Sequence, residues 1–205
     1  MPGVIDSPRD LAPLIEHTAL KPEVTPAAIA RLCEEAVAFG FRGVCVNPCF
    51  VAVARRHLRG AAVRVVSVVG FPLGANLSAI KAAEARAVID AGADEVDMVL
   101  PIGLLLAGEH GAVLDDAQKV AGCQLAERAG AAFVKTSTGF GGAQATVADV
   151  TLMRRAVGDR LRVKASGGIR DFAAARALVA AGADVLGCSA SVTIVGGNAA
   201  NPPAP

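Results

Sequence analysis

Ala129-Gly130-Ala131-Ala132-Phe133-Val134-Lys135-Thr136-Ser137-Thr138 carries a helix end straight into a strand. The stretch before it is alanine-rich and amphipathic, and Gly130 suits the left-handed position that closes a helix. After Gly130 comes a short apolar run of strand character. The same junction recurs. Phe39-Gly40-Phe41 precedes Gly43-Val44-Cys45-Val46-Asn47, Ala91-Gly92-Ala93 precedes Asp94-Glu95-Val96-Asp97-Met98-Val99-Leu100, and Ala181-Gly182-Ala183 precedes Asp184-Val185-Leu186-Gly187-Cys188. Helix then strand, repeated, predicts a parallel sheet with crossover helices.

Seven strands are expected, at 14–19, 43–48, 63–70, 95–101, 133–138, 161–166 and 184–189. They alternate. Glu95, Asp97 and Val99 share one face of their strand, and Val96, Met98 and Leu100 share the other. Phe133, Lys135 and Ser137 oppose Val134, Thr136 and Thr138. Polar groups on one face of a parallel strand fit a barrel interior, with the other face under helices. A doubly wound open sheet would be apolar on both faces and would carry a glycine-rich nucleotide turn after its first strand; this chain has none. The expected fold is therefore α/β, a TIM-type (β/α) barrel. Spacing exposes a shortfall. Gly40 to Gly92 is 52 residues and holds two strand–helix units, as does Gly130 to Gly182, but Gly92 to Gly130 is only 38. A closed barrel has eight strands, so one segment is expected to be missing between the fourth strand and the strand bearing Lys135. A single barrel domain is expected over 1–197, with a disordered tail at 198–205 rich in Pro, Ala and Asn.

Composition narrows the function. The chain has 205 residues, enough for one domain with a substantial core. Hydrophobic residues make up 53% but aromatics only 3%, so the core must be built from Ala, Val, Leu and Ile. Net charge is +1 with no basic run, which argues against a nucleic-acid partner. Apolar stretches are interrupted too early for a membrane span, and the first residues do not read as a signal peptide. Cys33, Cys45, Cys49, Cys123 and Cys188 lack metal-ligand spacing, and reduced thiols in a cytoplasmic protein are the simplest account.

The chemistry concentrates on two lysines. Only five lysines stand against fifteen arginines, and two of the five, Lys135 and Lys164, lie in strand-like runs 29 residues apart. An ammonium is expensive to bury. Desolvated, or set beside another cation, a lysine amine becomes a nucleophile toward carbonyls. Two such lysines on neighbouring strands point to Schiff-base chemistry, with Asp97 on the inward face as the available carboxylate. Packing alone would be the better reading of a lone lysine; the trio with its flanking residues favours a site. Gly167-Gly168-Ile169-Arg170 joins a strand to the helix beginning near Asp171, where backbone N–H groups can hold a phosphate.

Six segments occur in order: Ile15-Glu16-His17-Thr18-Ala19-Leu20-Lys21-Pro22, Val44-Cys45-Val46-Asn47-Pro48, Val69-Gly70-Phe71-Pro72-Leu73-Gly74, Asp94-Glu95-Val96-Asp97-Met98-Val99, the stretch 133–140, and the stretch 163–170. Together they resemble the deoxyribose-phosphate aldolases, class I aldolases of TIM-barrel type, over about 15–197. The resemblance implies reversible cleavage of 2-deoxy-D-ribose 5-phosphate to acetaldehyde and D-glyceraldehyde 3-phosphate, in deoxyribonucleotide breakdown in the cytoplasm. It implies Lys135 as the Schiff-base lysine, Lys164 as the second lysine whose charge activates it, and Asp97 as the proton-handling carboxylate. Glu16, Thr18 and Cys45 would supply the supporting proton network and pocket. Gly139, Gly167, Gly168, Ile169, Arg170, Gly187 and Ser189 would bind the phosphate. No metal or cofactor is implied; the partner is a phosphosugar, not nucleic acid or membrane, and the chain would assemble as a homodimer or homotetramer. Three departures stand out. Glu16 replaces an aspartate usual in relatives, a strand of Lys-Val-Ile-Leu-Glu type between Asp97 and Lys135 is absent, and there is no tail tyrosine. The absent strand predicts Asp97 and Lys135 too far apart or too loosely held for efficient catalysis. Two other readings stand beside the aldolase: a non-catalytic phosphosugar-binding relic, and another Schiff-base lyase on the same barrel. His17, on the face away from Glu16 and Thr18, is read as structural.

Overall fold

In the computed structural model, residues 5–101, 103, 115–140 and 144–196 are described. Most of the segment between Pro101 and Asp115, and the tail expected at 198–205, lie outside the described residues.

A 3-10 helix, Pro8–Leu14, buries Leu11 and leads into β1 (Ile15–Ala19). The order then runs α1 (Pro26–Phe39), β2 (Gly43–Val46), α2 (Val51–His57), β3 (Arg64–Val69), α3 (Ser78–Asp90), β4 (Glu95–Met98), α4 (Asp116–Arg128), β5 (Phe133–Lys135), α5 (Val147–Val157), β6 (Arg162–Ser166), α6 (Phe172–Ala180), β7 (Val185–Cys188) and α7 (Ser191–Ile194). Several helices start at side-chain caps. Thr25 accepts from the Ala28 amide, Asp115 from Gln118, Thr146 from Asp149 and Asp171 from Ala174, which satisfies amides the helix leaves unpaired. Gly40, Gly92, Gly130 and Gly182, the recurring junction glycines, all take positive φ and turn the chain from helix into strand.

The seven expected strands all form, and all are parallel, in the order β4-β3-β2-β1-β7-β6-β5. Among the described residues β4 and β5 are the two ends of this sheet. Asp97 of β4 nevertheless touches Lys135 of β5, at 2.7 Å. Side chains of the first and last strands can meet only if the sheet curls round on itself, as a TIM-type barrel lacking part of its wall does. The end strands are shorter than expected: β4 stops at Met98 and β5 at Lys135, each paired along one side among the described residues. Beyond Lys135 the Thr136 amide still donates to the Lys164 carbonyl at 3.1 Å, and side chains add to the attachment. Thr136 Oγ1 donates to the Ser166 carbonyl at 3.1 Å and accepts from the Ser166 amide at 3.0 Å.

Alternation sorts the core. Outward residues such as Val44, Val46, Val65, Val69, Val134, Val163, Ala165 and Leu186 pack under the helices in the main cluster. Leu20, Cys45, Val66 and Val68 form a second, small cluster, with Phe71 against it. His17 belongs to the outward set. Its Nδ1 lies 3.0 Å from Ser191 Oγ and its Nε2 2.8 Å from Glu35 Oε2, tying β1 to α7 and α1. Burial pushes this imidazole below its ordinary range. Lys81 on α3 is also buried, its ammonium donating to the carbonyls of Gly74 at 2.8 Å and Val99 at 3.1 Å. No helix among the described residues is long and apolar enough to cross a membrane.

Candidate active site

Register sets the site. Lys135 of β5 pairs with Lys164 of β6, so both side chains leave the sheet on the same, inward face. Asp97, inward from β4, comes between them from the other end of the described sheet. Its Oδ2 accepts from Lys135 Nζ at 2.7 Å and from Lys164 Nζ at 3.1 Å. The expectation of a distant, loose Asp97–Lys135 pair is therefore wrong. Curvature accumulated over six strand pairings carries β4 back toward β5, and the long lysine stem spans what remains. The picture of one lysine acting directly on the other is also refined, because the two cations share one carboxylate oxygen.

Burial and charge fix the protonation of the centre. Burial alone would push Asp97 up, but Lys164 and Lys135 overcome this and hold its carboxyl at about 2. Burial alone would likewise push Lys164 down. The carboxylates of Asp97 and Glu16 hold it above the usual lysine range instead, so it remains a cation throughout the working pH range. Glu16 is 1% exposed and binds Lys164 through Oε2 and Arg42 through Oε1. The extra methylene of glutamate thus ends in two cationic partners. Room for them comes from glycine: the residues paired with Glu16 on its two sides are Gly43 of β2 and Gly187 of β7. A Cβ on Gly187 would meet Ser166 Oγ at 2.6 Å while only touching Lys164 Cε at 3.4 Å, so glycine here spares the Ser166 hydroxyl.

The remaining expected residues divide. Cys45 is buried near Lys164, and burial pushes its thiol up to about 12, so it is a neutral wall. Thr18 Oγ1 donates to the Glu16 carbonyl at 2.9 Å, which secures the end of β1. Gly139, Gly167 and Gly168 all take positive φ in the loops after β5 and β6, and a Cβ on Gly139 would lie 3.7 Å from Gly167 Cα. Those two loops are therefore adjacent. Ala145 donates to the Gly167 carbonyl at 3.0 Å, and Asp171 then starts α6. Ile169 is buried beneath this turn, while Gly168, Arg170 and Ser189 are exposed. Gly187 is buried at the level of Glu16, apart from those exposed groups.

Arg42 and Glu95 were not singled out from the sequence. Arg42 stands one residue before β2, and its guanidinium reaches Glu95 Oε1 at 2.6 Å as well as Glu16. Arg64 also donates to Glu95 Oε1, at 2.6 Å. The one available signal is parity: Glu95 shares the inward face of β4 with Asp97.

No family model matches the chain. It is 45% identical over 217 aligned positions to the deoxyribose-phosphate aldolase of Caldanaerobacter subterraneus subsp. tengcongensis, covering 93% of this chain and 94% of the relative. It is 48% identical over 212 positions to that of Thermotoga maritima, covering 92% of this chain and 86% of the relative. Both alignments run longer than the whole chain of 205 residues, so both relatives carry internal residues that this chain lacks. That agrees with the short Gly92–Gly130 spacing. Among solved structures, the tetrameric deoxyribose phosphate aldolase of Aeropyrum pernix matches with a TM-score of 0.84 at 33% identity, over 93% of this chain and 91% of that one. Extensive identity along the whole barrel and a shared fold lead to one statement: the chain belongs to the deoxyribose-phosphate aldolase family.

Proposed function

We propose that the chain is a class I aldolase that cleaves 2-deoxy-D-ribose 5-phosphate reversibly to acetaldehyde and D-glyceraldehyde 3-phosphate, in the breakdown of deoxyribonucleotides. The observation that carries this reading is the single Asp97 oxygen shared by Lys135 and Lys164 inside a barrel. It sets a nucleophilic amine, a permanent cation and a carboxylate within one hydrogen-bond radius, as imine chemistry requires. Family membership supports the substrate.

Lys135 adds as the free amine to the aldehyde carbon of the open-chain sugar. Asp97, with a water molecule, relays the protons that turn the carbinolamine hydroxyl into leaving water, and an iminium forms. A proton then leaves the hydroxyl on the third carbon, and its oxygen becomes the carbonyl of glyceraldehyde 3-phosphate. The bond between the second and third carbons breaks, and its electron pair flows to the iminium nitrogen to give an enamine. A proton returns to the second carbon, and water hydrolyses the imine to acetaldehyde and Lys135. Lys164 stays cationic and fixes the shared carboxylate beside the Lys135 amine. The adjacent loops at Gly139 and Gly167–Gly168, with the start of α6 and Ser189, supply donors for the phosphate. Assembly as a homotetramer is supported by the tetrameric relative from Aeropyrum pernix.

Borohydride reduction in the presence of acetaldehyde, read by peptide mass spectrometry, should place the adduct on Lys135. An adduct on Lys164 that survives in Lys135→Arg would overturn the assignment, and no adduct at all would favour the non-catalytic relic. A panel of aldose and ketose phosphates separates this aldolase from another Schiff-base lyase. The phosphorylated sugar should exceed free deoxyribose in kcat/KM by ~10²-fold.

A further inference from the structure

Resting on the aldolase reading above, we infer that Arg42, at the N-terminal floor of the barrel, is a positioning residue for the reaction: it holds Glu16 so that Lys164 is fixed between two carboxylates. Arg42 lies at the end of the barrel opposite the loops proposed to hold the phosphate, and it touches neither Lys135 nor Asp97. Its side chain is only 10% exposed.

From floor to reactive amine the inward side chains form one chain of contacts, Arg64–Glu95–Arg42–Glu16–Lys164–Asp97–Lys135. The sign alternates at every step. The side chains come from β3, β4, the residue before β2, β1, β6, β4 and β5. Each interior carboxylate thus lies between two cations, and each interior cation between two carboxylates. Both oxygens of Glu16 are used, one by Arg42 and one by Lys164. Gly43 and Gly187 flank Glu16, so no side chain on those strand neighbours could take over if Arg42 were removed. Glu16 would then have Lys164 as its sole counter-charge. A buried carboxylate in that state binds its remaining cation more strongly. Lys164 would be committed to Glu16, and its 3.1 Å contact to Asp97, the longer of the two contacts to that oxygen, would weaken first.

The competing role for Arg42 is that of a floor plug. It lines a depression of about 560 Å³ with Phe41, Arg64 and Arg162, and its guanidinium carbon lies 5.6 Å from the Phe133 ring centre. If packing were its whole contribution, an apolar side chain of similar length would serve as well.

Arg42→Met separates the two roles. The expected result is a folded protein whose kcat falls about tenfold while KM for the sugar phosphate stays within about twofold, because the phosphate loops lie at the other end. The profile of borohydride trapping of acetaldehyde against pH should move with it, because Lys164 has weakened its hold on the oxygen it shares with Lys135. Arg42→Lys, which keeps the charge, should recover most of both effects. Should Arg42→Met not fold, Arg42→Gln is read by the same measurements. A folded Met or Gln variant with wild-type kcat and an unmoved trapping profile overturns the inference, and failure of both to fold also overturns it by making Arg42 a folding residue. Absence of an adduct in the wild-type control would defeat the aldolase reading itself, a distinct outcome.

Discussion

Lys135 and Lys164 are the same residue type, in direct register on adjacent strands, on the same face, yet their surroundings differ, and the proposed chemistry gives them opposite tasks. Lys164 belongs to β6, a five-residue strand paired on both sides, and its ammonium lies between Glu16 and Asp97 with 8% of the side chain exposed. Lys135 belongs to β5, a three-residue end strand paired on one side, with Asp97 as its carboxylate partner and 16% exposed. Two carboxylates in a closed interior fix a charge. One carboxylate at an end strand of the described sheet holds the other less firmly. On the proposed chemistry, strand position as well as residue type then decides which lysine reacts.

The comparison breaks most sharply at Lys164. Lys164→Leu should lower kcat by ~10²-fold or more while the protein stays folded by circular dichroism, because the fixed cation is lost but Arg42 still neutralises Glu16. A wild-type rate in that variant would erase the distinction between the two lysines. Asp97 offers a finer measurement. Its carboxyl, held at about 2 by the two lysines against an ordinary 3.8, makes ion pairs whose stabilisation is fully present above about pH 4 and lost as pH falls through about 2. Urea unfolding of wild type and Asp97→Asn should therefore differ by about 2 kcal/mol less at pH 2 than at pH 5. A constant difference would mean that the shared carboxylate is not what the lysines stabilise. The smallest catalytic effect belongs to the outward face. His17→Leu cuts the ties to Glu35 and Ser191 and should cost about 1–2 kcal/mol of stability, with kcat unchanged. A large loss of kcat would show that the inward chemistry depends on the outward packing more than the strand alternation implies.

Much of this was legible in the amino-acid order. The Ala-Gly-Ala junctions located the strands because a helix must end before a strand can begin, and glycine marks that end. Alternation on 95–99 and 133–137 marked the inward face, and thereby Asp97 and Lys135 together. Two things were hidden. The closeness of Asp97 and Lys135, on the two end strands of the described sheet, depends on curvature summed over six strand pairs, and no local pattern records that sum. The Arg42–Glu16–Glu95 contacts join residues far apart in sequence, and Arg42 sits one position outside its strand, where parity does not reach. Lys81 escaped for a related reason: Ile80-Lys81-Ala82 reads as the surface of a helix, and only the fold presents it with two carbonyls.

The scarcity of lysine has a chemical consequence for an enzyme that handles aldehydes. Any free amine condenses with such molecules, whereas a guanidinium stays protonated and does not. Fifteen arginines carry most of the positive charge. Of the five lysine side chains, Lys81 and Lys164 are buried, Lys119 is held by Asp116 and Asp149, and Lys21 alone extends well into solvent, at 78% exposure. Four of the five thiols are buried as well, leaving Cys49 at the surface. The molecule thus offers acetaldehyde few places to react other than Lys135, so that the side chain proposed to carry the imine is also among the few that the aldehyde could damage.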